Sequence, residues 1–321
     1  MAVETEGWRD GMSTGRCIAI LGPTCAWKSE VALCLAGGYG GEIVSCDSMQ
    51  IYRGLPVGTA QPDEEELARV PHHLIAELDI CEPYDANRFV KRAKAALNDI
   101  YARGKTAFLV GGTGLYARSL IYGFELLPAD PAVFKALEAE LAMDGGRDAL
   151  LQRLAAYGDT IPEDVRLNPR RLLRACEVLS LTGKPPWVQK RKFERPDSSY
   201  RQYCLIPMLS MLKERIRRRT ARMLENGWLE EAELAERKGL MVTPTARQAL
   251  GYAEVIDYLH HGLKGGLAAL CELLTNKTTQ YARRQLTWFK HQHPGACLIE
   301  IDREDGAADR ICEIIRSHES M

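Results

Sequence analysis

Short apolar runs alternate with segments of helical periodicity along the first third of the chain. The three apolar runs are CIAIL at 17–21, EIVSC at 42–46 and AFLV at 107–110. Each is too short for a buried helix and is typical of a strand that is buried on both faces. Helical spacing runs from Lys28 to Ala36, where we expect the helix to stop at Gly37-Gly38, and again over about 87–103. This alternation predicts an α/β fold with a parallel sheet.

The middle of the chain has a different pattern. From residue 125 to residue 199 the apolar spacing is helical and predicts no strand. A later strand is predicted at 203–208, long helices at 211–224 and 267–290, and a closing strand and helix after His293. We therefore expect an α/β core domain formed by residues 17–124 and 200–321, interrupted by a helical insertion at 125–199. The polar residues 1–16 are predicted to be a disordered leader.

Composition narrows the class of protein. The 321 residues are 46% hydrophobic and 26% charged, which is typical of a globular protein. The formal net charge of −1 excludes a uniformly basic nucleic-acid binder, so any RNA contact needs local basic patches. No run of 18 apolar residues is present, which predicts a soluble, cytoplasmic protein without a membrane span. The ten cysteines include no C-x-x-C pair and are predicted to be buried, reduced thiols.

A phosphate-binding loop is predicted between the first strand and the first helix. It reads Gly22-Pro23-Thr24-Cys25-Ala26-Trp27-Lys28-Ser29. In such a loop the backbone N–H groups and the helix N-terminus face an anion, the lysine neutralises it and the serine contacts magnesium. Trp27 stands where the usual pattern has a second glycine, and a left-handed conformation costs a non-glycine residue about 1–2 kcal/mol. The sequence leaves open whether the indole points toward the anion, and whether the segment is an ordinary strand-to-helix turn.

A carboxylate follows the second predicted strand. In an open parallel sheet, ligands bind beyond the carboxyl ends of the strands, so Asp47 is expected beside the phosphate loop. There it could accept a proton or help to hold a metal ion, or it could simply cap the following turn. Ser48 and Gln50 could hydrogen-bond to the edge of a base. The third apolar run ends in a glycine-rich turn that carries one hydroxyl, Thr113.

Basic residues are concentrated in two places. The first cluster, in the predicted insertion, comprises Arg166, Arg170, Arg171, Arg174, Lys184, Lys190, Arg191, Lys192 and Arg195. The second comprises Lys213, Arg215, Arg217, Arg218, Arg219 and Arg222. Helical periodicity brings Arg215, Arg219 and Arg222 to one face, while Leu212, Ile216 and Met223 form an apolar stripe. Either cluster could equally be a solvated charged face.

Five motifs, taken in chain order, resemble the tRNA dimethylallyltransferase family. They are GPTxxxKS, DSMQIYRGLPVGTA, PHHLI, LVGGTGLY and QYARRQLTWFK, and they extend from about Cys17 to Lys290. The resemblance implies a P-loop α/β core with a helical insertion. It also implies transfer of the dimethylallyl group of dimethylallyl diphosphate to N6 of adenosine 37, in tRNAs reading codons that begin with U. Mg²⁺ is the expected cofactor, the anticodon stem-loop of tRNA the expected partner, and a monomer the expected state.

The resemblance also implies roles for single residues. Asp47 is expected to be the general base, with Arg219, Thr24 and Ser29 as further catalytic residues. The donor diphosphate is expected on Gly22, Pro23, Thr24, Cys25, Ala26, Trp27, Lys28, Ser29 and Arg215. The residues expected to contact tRNA are Asp47, Ser48, Met49, Gln50, Thr113, Arg170, Arg171, Arg174, Arg247, Gln248, Gly251 and Tyr252. Ser29 and Asp47 are expected to hold the Mg²⁺ ion.

Three other functions compete with this hypothesis. An adenylate prenyltransferase would share the core chemistry but would not need a basic insertion. A small-molecule kinase would use the loop for ATP, yet it gives no reason for the DSMQIYRG segment. An inactive tRNA-binding paralogue is suggested by Trp27, because this residue replaces the loop glycine.

Overall fold

The computed structural model describes residues 16–123, 127–158, 160–189, 196–243 and 245–320. The chain divides into two compact units, one formed by residues 1–123 and 195–321 and the other by residues 124–194. The predicted leader at 1–16 lies outside the described residues except for Arg16. Lys190, Arg191, Lys192 and Arg195, from the basic cluster of the predicted insertion, also lie outside them.

The first unit is built on a six-stranded sheet. Its strands are β1 Cys17–Leu21, β2 Glu42–Ser45, β3 His72–His73, β4 Ala107–Gly111, β5 Tyr200–Pro207 and β6 Cys297–Ile301. Their order is β3-β2-β4-β1-β5-β6, and every pair of neighbouring strands is parallel. The predicted α/β fold with a parallel sheet is therefore confirmed. The two-residue strand β3 was not predicted, because it is too short to leave a periodic pattern.

The central strands explain their apolar sequences. β1 lies between β4 and β5, with Ile18 paired to Phe108 on one side. All five residues of β1 and all five of β4 are buried, since helices cover both faces of a parallel sheet. The crevice beyond the carboxyl ends of these strands is where the chain connections diverge, which is the usual ligand position in such sheets.

Thirteen α-helices are described. They are α1 Lys28–Tyr39, α2 Glu64–Arg69, α3 Ala86–Ala102, α4 Gly114–Ile121, α5 Pro131–Leu141, α6 Gly146–Ala155, α7 Glu163–Leu167, α8 Pro169–Thr182, α9 Leu209–Glu225, α10 Trp228–Arg237, α11 Tyr252–His261, α12 Gly266–Gln292 and α13 Ala307–Glu319. The prediction that the first helix stops at Gly37-Gly38 is wrong. α1 continues through both glycines and ends at Gly40, whose φ of 61° is the left-handed conformation that favours glycine.

The second unit is helical in its described part. It contains α5, α6, α7 and α8, and no strand is found within residues 127–158 or 160–189. Its small core includes Leu137, Leu150, Leu154, Leu172 and Cys176. Asp130 and Asn168 cap α5 and α8 through side-chain oxygens that accept backbone N–H groups, and each is followed by a proline at the first helical position.

A buried carboxylate marks the start of β2. The side chain of Glu42 is only 2% exposed and forms ion pairs with Arg103 and Lys105. It also contacts His73 at 2.7 Å. The hydrogen bonds from Arg103, together with those from Lys105 and His73, outweigh burial and hold the pKa of this carboxyl well below its usual range. Glu42 is therefore a charged group of the interior that is fully compensated.

The cysteines and the surface agree only partly with expectation. All ten cysteines are free thiols, and Cys17, Cys46, Cys176, Cys204 and Cys312 are buried. Cys81 is exposed, so the prediction of uniformly buried thiols is wrong for this residue. Within the described ranges, no helix is long and apolar enough to cross a membrane.

Candidate active site

A cavity of about 1190 Å³ opens at the carboxyl edge of the sheet. The sequence-predicted residues that line it are Thr24, Cys25, Ala26, Trp27, Lys28, Ser29, Asp47, Ser48, Met49, Gln50, Arg215, Arg219 and Gln248. The fold thus brings together, in one unit, the loop after β1, the turn after β2 and the arginine face of α9. The loop after β1 and α9 are more than 150 residues apart in the sequence, and the order of the strands in the sheet brings them together.

The loop after β1 has the backbone that an anion site requires. Gly22 has φ 150°, and a Cβ atom there would lie 2.8 Å from the carbonyl oxygen of Leu205, so only glycine fits. α1 begins at Lys28. The N–H groups of its first turn have no partner within the helix and carry the positive end of its dipole. They are therefore suited to bind a phosphate or diphosphate group.

Trp27 adopts the left-handed conformation itself. Its φ is 60° and its ψ is 10°, values for which the usual glycine pays no steric penalty. The indole is only 6% exposed and belongs to the apolar core that includes Val31 and Ile216. The guanidinium carbon of Arg215 lies 4.0 Å from the ring centroid. The side chain is covered by protein and does not fill the anion site, which answers the question that the sequence leaves open.

Lys28 faces the cavity from the first turn of α1. Its ammonium group donates a hydrogen bond to the carbonyl oxygen of Pro23. Burial lowers the pKa of Lys28 to about 8, and the negative charge of Asp47 offsets part of this effect. A lysine in this state is charged at neutral pH but poorly compensated, so an incoming anion would stabilise its charge.

Arg219 and Gln285 tie the loop to two other elements. Arg219 Nη2 donates to Thr24 Oγ1 at 2.6 Å. The Thr24 N–H donates to Gln285 Oε1 at 2.9 Å, and Gln285 Nε2 donates to the Gly112 carbonyl at 2.9 Å. Gln285 therefore bridges the turns after β1 and β4. Gln285 belongs to the motif QYARRQLTWFK, no residue of which was predicted to lie in the site.

The turn after β2 holds Asp47 in a fixed orientation. Asp47 Oδ1 accepts the N–H groups of Met49 at 2.8 Å and Gln50 at 3.4 Å. The Ser48 N–H donates to Thr113 Oγ1 at 3.1 Å, which joins this turn to the one after β4. Within the described part of the chain, the other oxygen, Asp47 Oδ2, has no hydrogen-bond partner. One oxygen thus caps the turn, which is one of the two roles predicted for Asp47. The other oxygen is free to accept a proton, which is the second role.

Tyr281 is a second neighbour of Asp47 that the sequence did not single out. It lines the cavity, and burial, with a further contribution from the charge of Asp47, raises the pKa of its phenol well above the usual value. The guanidinium carbon of Arg284 lies 5.7 Å from its ring centroid. Tyr281 thus remains a neutral hydrogen-bonding group beside the carboxylate.

Gln50, predicted to contact tRNA, forms hydrogen bonds within the protein. Its Oε1 accepts the Ser45 hydroxyl at 2.9 Å. Its Nε2 donates to the carbonyl oxygens of Ala60 at 2.7 Å and Thr59 at 3.3 Å. Both amide hydrogens are used within the protein, so Gln50 shapes the wall of the cavity that it lines.

Gly251 and Tyr252, also predicted to contact tRNA, are buried. Tyr252 is completely buried, and its hydroxyl donates to Glu231 Oε1 at 2.5 Å. Glu231 accepts in addition the N–H groups of Val57 at 2.7 Å and Gly58 at 2.8 Å. Gly251 is buried as well, so neither residue presents an atom to a tRNA in this structure. Arg247 and Gln248 are exposed, as an RNA contact requires.

Arg215, predicted to be a diphosphate ligand, binds groups of the protein itself. Its Nε donates to the Cys25 carbonyl at 3.0 Å. Its Nη1 pairs with Glu304 at 3.2 Å and its Nη2 with Glu30 at 3.0 Å. Every nitrogen of the guanidinium is bound to a protein acceptor, because two carboxylates and a carbonyl surround it.

The arginines of the second unit differ among themselves. Arg170 and Arg171 are exposed, and Arg171 forms an ion pair with Asp164. Arg174 is partly buried and donates to the carbonyl oxygens of Leu127 and Pro128 and to the carboxylate of Glu177. Arg174 therefore holds the start of this unit together, whereas Arg170 and Arg171 are more accessible.

The oxygen ligands suit magnesium better than a tightly caged metal. Among the described residues, no group of three or more His, Cys, Asp or Glu side chains could hold a metal ion. Ser29 and Asp47, the two residues that the sequence predicts as ligands, both line the cavity and offer only oxygen atoms. Mg²⁺ is commonly bound by one or two side chains together with substrate phosphates and water, so this donor set fits it.

Comparison with known proteins finds relatives over most of the chain. The model of the IPP transferase family matches residues 50–292. The tRNA dimethylallyltransferase of an Exiguobacterium species is 41% identical over 284 residues, which cover 87% of this chain and 88% of the relative. That of Deinococcus radiodurans is 39% identical over 274 residues, covering 84% of this chain and 88% of the relative.

Solved structures show the same relationship. The tRNA isopentenylpyrophosphate transferase of Bacillus halodurans matches with a TM-score of 0.67 and 32% identity, covering 95% of this chain and 97% of its own. A eukaryotic dimethylallyltransferase acting on tRNA matches with a TM-score of 0.76 and 26% identity, covering 94% of this chain and 77% of its own. With the family model matching most of the chain and relatives matching nearly all of it, this chain belongs to the IPP transferase family.

Proposed function

We propose that this chain transfers the dimethylallyl group of dimethylallyl diphosphate to N6 of adenosine 37 in tRNAs reading codons that begin with U. The observation that carries the proposal is one cavity lined by both the phosphate loop and Asp47, whose carboxylate has one oxygen hydrogen-bonded and one available. An electrophile bound through a diphosphate and an amine beside a carboxylate are the two partners of N-prenylation. The names of the relatives support the same substrates.

The reaction needs an extrahelical adenine. Enzymes that modify a base commonly flip it out of the stack, which requires a pocket deep enough to receive it. The cavity described above has room for a base as well as a five-carbon donor. Arg247 and Gln248 at its side, and Arg170 and Arg171 of the second unit, are exposed basic or polar groups for contacts with the tRNA.

In the proposed reaction, each bond that breaks is matched by a bond that forms. A bond forms between N6 of the adenine and C1 of the donor, while the bond between C1 and the diphosphate oxygen breaks. Asp47 Oδ2 accepts the proton that N6 loses, and the diphosphate departs with the electron pair. Lys28 and Arg219 stabilise the charge that grows on the departing diphosphate, and such electrostatic stabilisation is usually the largest contribution to catalysis.

Magnesium belongs to this proposal. Ser29 would hold the ion together with the donor phosphates, since Asp47 Oδ1 accepts two backbone N–H groups and its Oδ2 is the proposed base. When bound, Mg²⁺ supplies positive charge that lowers the energy of the leaving diphosphate. The residues of the chain remain responsible for orientation, because the helix N-terminus and Lys28 bind the phosphates independently of the metal.

The three competing functions fit the site less well. A small-molecule kinase gives no reason for the DSMQIYRG segment, and the relatives carry no such name. A paralogue inactivated by Trp27 requires the indole to obstruct the loop, whereas the indole is buried. An adenylate prenyltransferase does not explain the similarity to structures of transferases that act on tRNA.

A transfer assay tests the proposal. Purified protein is mixed with unmodified tRNA, labelled dimethylallyl diphosphate and Mg²⁺, and the label in tRNA is measured. We expect label in tRNA at adenosine 37 and none when adenosine monophosphate replaces tRNA. Label in the free nucleotide would favour the adenylate prenyltransferase, and tRNA binding without transfer would favour the inactive paralogue.

A further inference from the structure

The loop after β1 contains two non-glycine residues in the left-handed conformation that favours glycine. Cys25 has φ 62° and Trp27 has φ 60°, and neither is glycine. Residues held in this region persist only where the surrounding structure fixes them. The contacts around these two residues therefore indicate what keeps the loop in its binding conformation.

Both strained residues are held by Arg215. Its guanidinium stacks at 4.0 Å on the indole of Trp27, and its Nε donates to the carbonyl of Cys25 at 3.0 Å. Glu30 and Glu304 fix the other two nitrogens from α1 and from the loop after β6. The Arg215 side chain is only 20% exposed. One side chain thus connects the loop to α9 and to the C-terminal part of the sheet.

Arg219, one turn further along α9, provides the contrast. Its Nη2 donates to the Thr24 hydroxyl, and within the described residues its other nitrogens have no acceptor. Arg219 therefore retains donors that a phosphate group could use. All three nitrogens of Arg215 already have acceptors within the protein, although helical periodicity brings it to the same face.

We propose that Arg215 is a positioning residue and that Trp27 and Arg215 together replace the loop glycine. The stacked guanidinium keeps the indole out of the anion site and anchors the Cys25 carbonyl, so that the loop N–H groups point to the diphosphate. Arg215 is then required only because Trp27 is present. The inference rests on the proposed function in one respect, namely that the loop binds a diphosphate.

A double-mutant cycle tests this dependence. The variants are Arg215→Ala, Trp27→Gly and the double variant, and the measured quantity is the Kd for inorganic diphosphate with Mg²⁺, without donor or tRNA. We expect Arg215→Ala to weaken binding about tenfold in the wild-type background and less than about threefold in the Trp27→Gly background. Equal losses in both backgrounds would show that Arg215 is a direct ligand and would overturn the inference.

Arg215→Lys provides a test that does not depend on the Trp27 variant folding. Lysine keeps the charge and is a good phosphate ligand, but it lacks the fork that reaches the carbonyl and both carboxylates. We expect it to bind diphosphate nearly as weakly as Arg215→Ala does, whereas restored binding would contradict a positioning role. Arg217→Ala is the matched control, since Arg217 lies on the same helix, is exposed and pairs only with Glu214 among the described residues.

Kinetic constants separate this inference from the proposed function. Loss of positioning should raise the KM for the prenyl donor in Arg215→Ala more than it lowers kcat, and Trp27→Gly should restore the KM. If the wild-type protein binds no diphosphate, the proposed function fails. If it binds diphosphate and the cycle is additive, only the role of the Trp27–Arg215 pair fails.

Discussion

The two ends of strand β2 carry carboxylates in opposite states. Glu42 at the start is surrounded by Arg103, Lys105 and His73. Asp47, just beyond the end, accepts backbone N–H groups through one oxygen only. Both side chains are shielded from solvent to some degree, yet only Glu42 has cations as direct hydrogen-bond partners.

This difference separates the charges that stabilise the fold from those that remain available for chemistry. A buried charge that is fully paired has little tendency to react, because any change in its protonation breaks several contacts. A charge left partly unpaired beside a cavity gains from an incoming ligand instead. Lys28, whose pKa burial lowers, belongs to the second kind and stands near Asp47. The predictions below test this distinction between the amino and carboxyl ends of β2.

The largest effect is expected at Asp47. Asp47→Asn keeps an oxygen that can accept the Met49 N–H but removes the base, so prenyl transfer should fall on the order of 10³-fold in kcat. Asp47→Ala should fall at least as far, while tRNA affinity changes little in both. Single-turnover transfer and filter binding measure the two quantities. Near-normal turnover of Asp47→Asn would show that the carboxylate only caps the turn.

A smaller loss, together with a gain, is expected at Lys28. Lys28→Met removes the cation that faces the diphosphate, and affinity for inorganic diphosphate should fall about 100-fold, as for loss of a charge-assisted hydrogen bond. The melting temperature should rise, because the unfolded chain binds the lysine proton more tightly than the folded one. Calorimetric titration and thermal unfolding test the pair of effects. A lower melting temperature would mean that Lys28 is already well compensated, like Glu42.

The sequence predicted the elements of this comparison better than their connections. β1 and β4 could be predicted because buried parallel strands require continuous apolar runs, and Asp47 because strand ends meet at one edge. Gln285 could not, since it contacts Thr24 across 261 residues and nothing local indicates it. The end of α1 was missed because tertiary packing overrides the low helix propensity of Gly37 and Gly38.

Contacts between residues that are distant in the sequence also explain the positions of Arg215 and Tyr252. On its helix, Arg215 has the same spacing as Arg219, and only the fold reveals that Glu30 and Glu304 reach the former. Tyr252 sits in a motif that resembles a tRNA-facing segment, yet Glu231 on α10 draws its hydroxyl into the interior. Sequence periodicity assigns a residue to a face of a helix; it does not reveal which residues from distant elements already occupy that face.

The amino end of β2 should respond in stability rather than in activity. Glu42→Gln leaves Arg103 and Lys105 without their carboxylate. The free energy of unfolding should fall by about 2–3 kcal/mol, less than for a fully enclosed pair because the arginine and lysine are partly exposed. Because the folded pKa of Glu42 is depressed, its contribution is present above the ordinary value near 4.5 and is lost as the pH falls further. The two proteins should therefore converge in strongly acidic solution.

Denaturant unfolding at pH 7 and at pH 4 measures this effect. The kcat of folded Glu42→Gln should equal that of the wild-type protein, since Glu42 lies at the opposite edge of the sheet from the cavity. Asp99→Asn is a matched control, because Asp99 pairs with the same Arg103 but is exposed. A large loss of activity in Glu42→Gln at full folding would contradict the division between the two ends.

The smallest effect is a pH dependence that only the carboxyl end should show. Lys28 has a pKa of about 8, so it is charged below this pH and becomes neutral as the pH rises through it. Affinity for a diphosphate ester should therefore fall about tenfold between pH 7 and pH 9, as 2.303RT per pH unit allows for one proton. Lys28→Arg keeps its charge throughout this range and should show a flatter profile. Because ionisation of the ligand itself affects both proteins equally, the ratio of their affinities isolates Lys28. A constant ratio from pH 7 to pH 9 would mean that the cation of Lys28 is as firmly compensated as the carboxylate of Glu42.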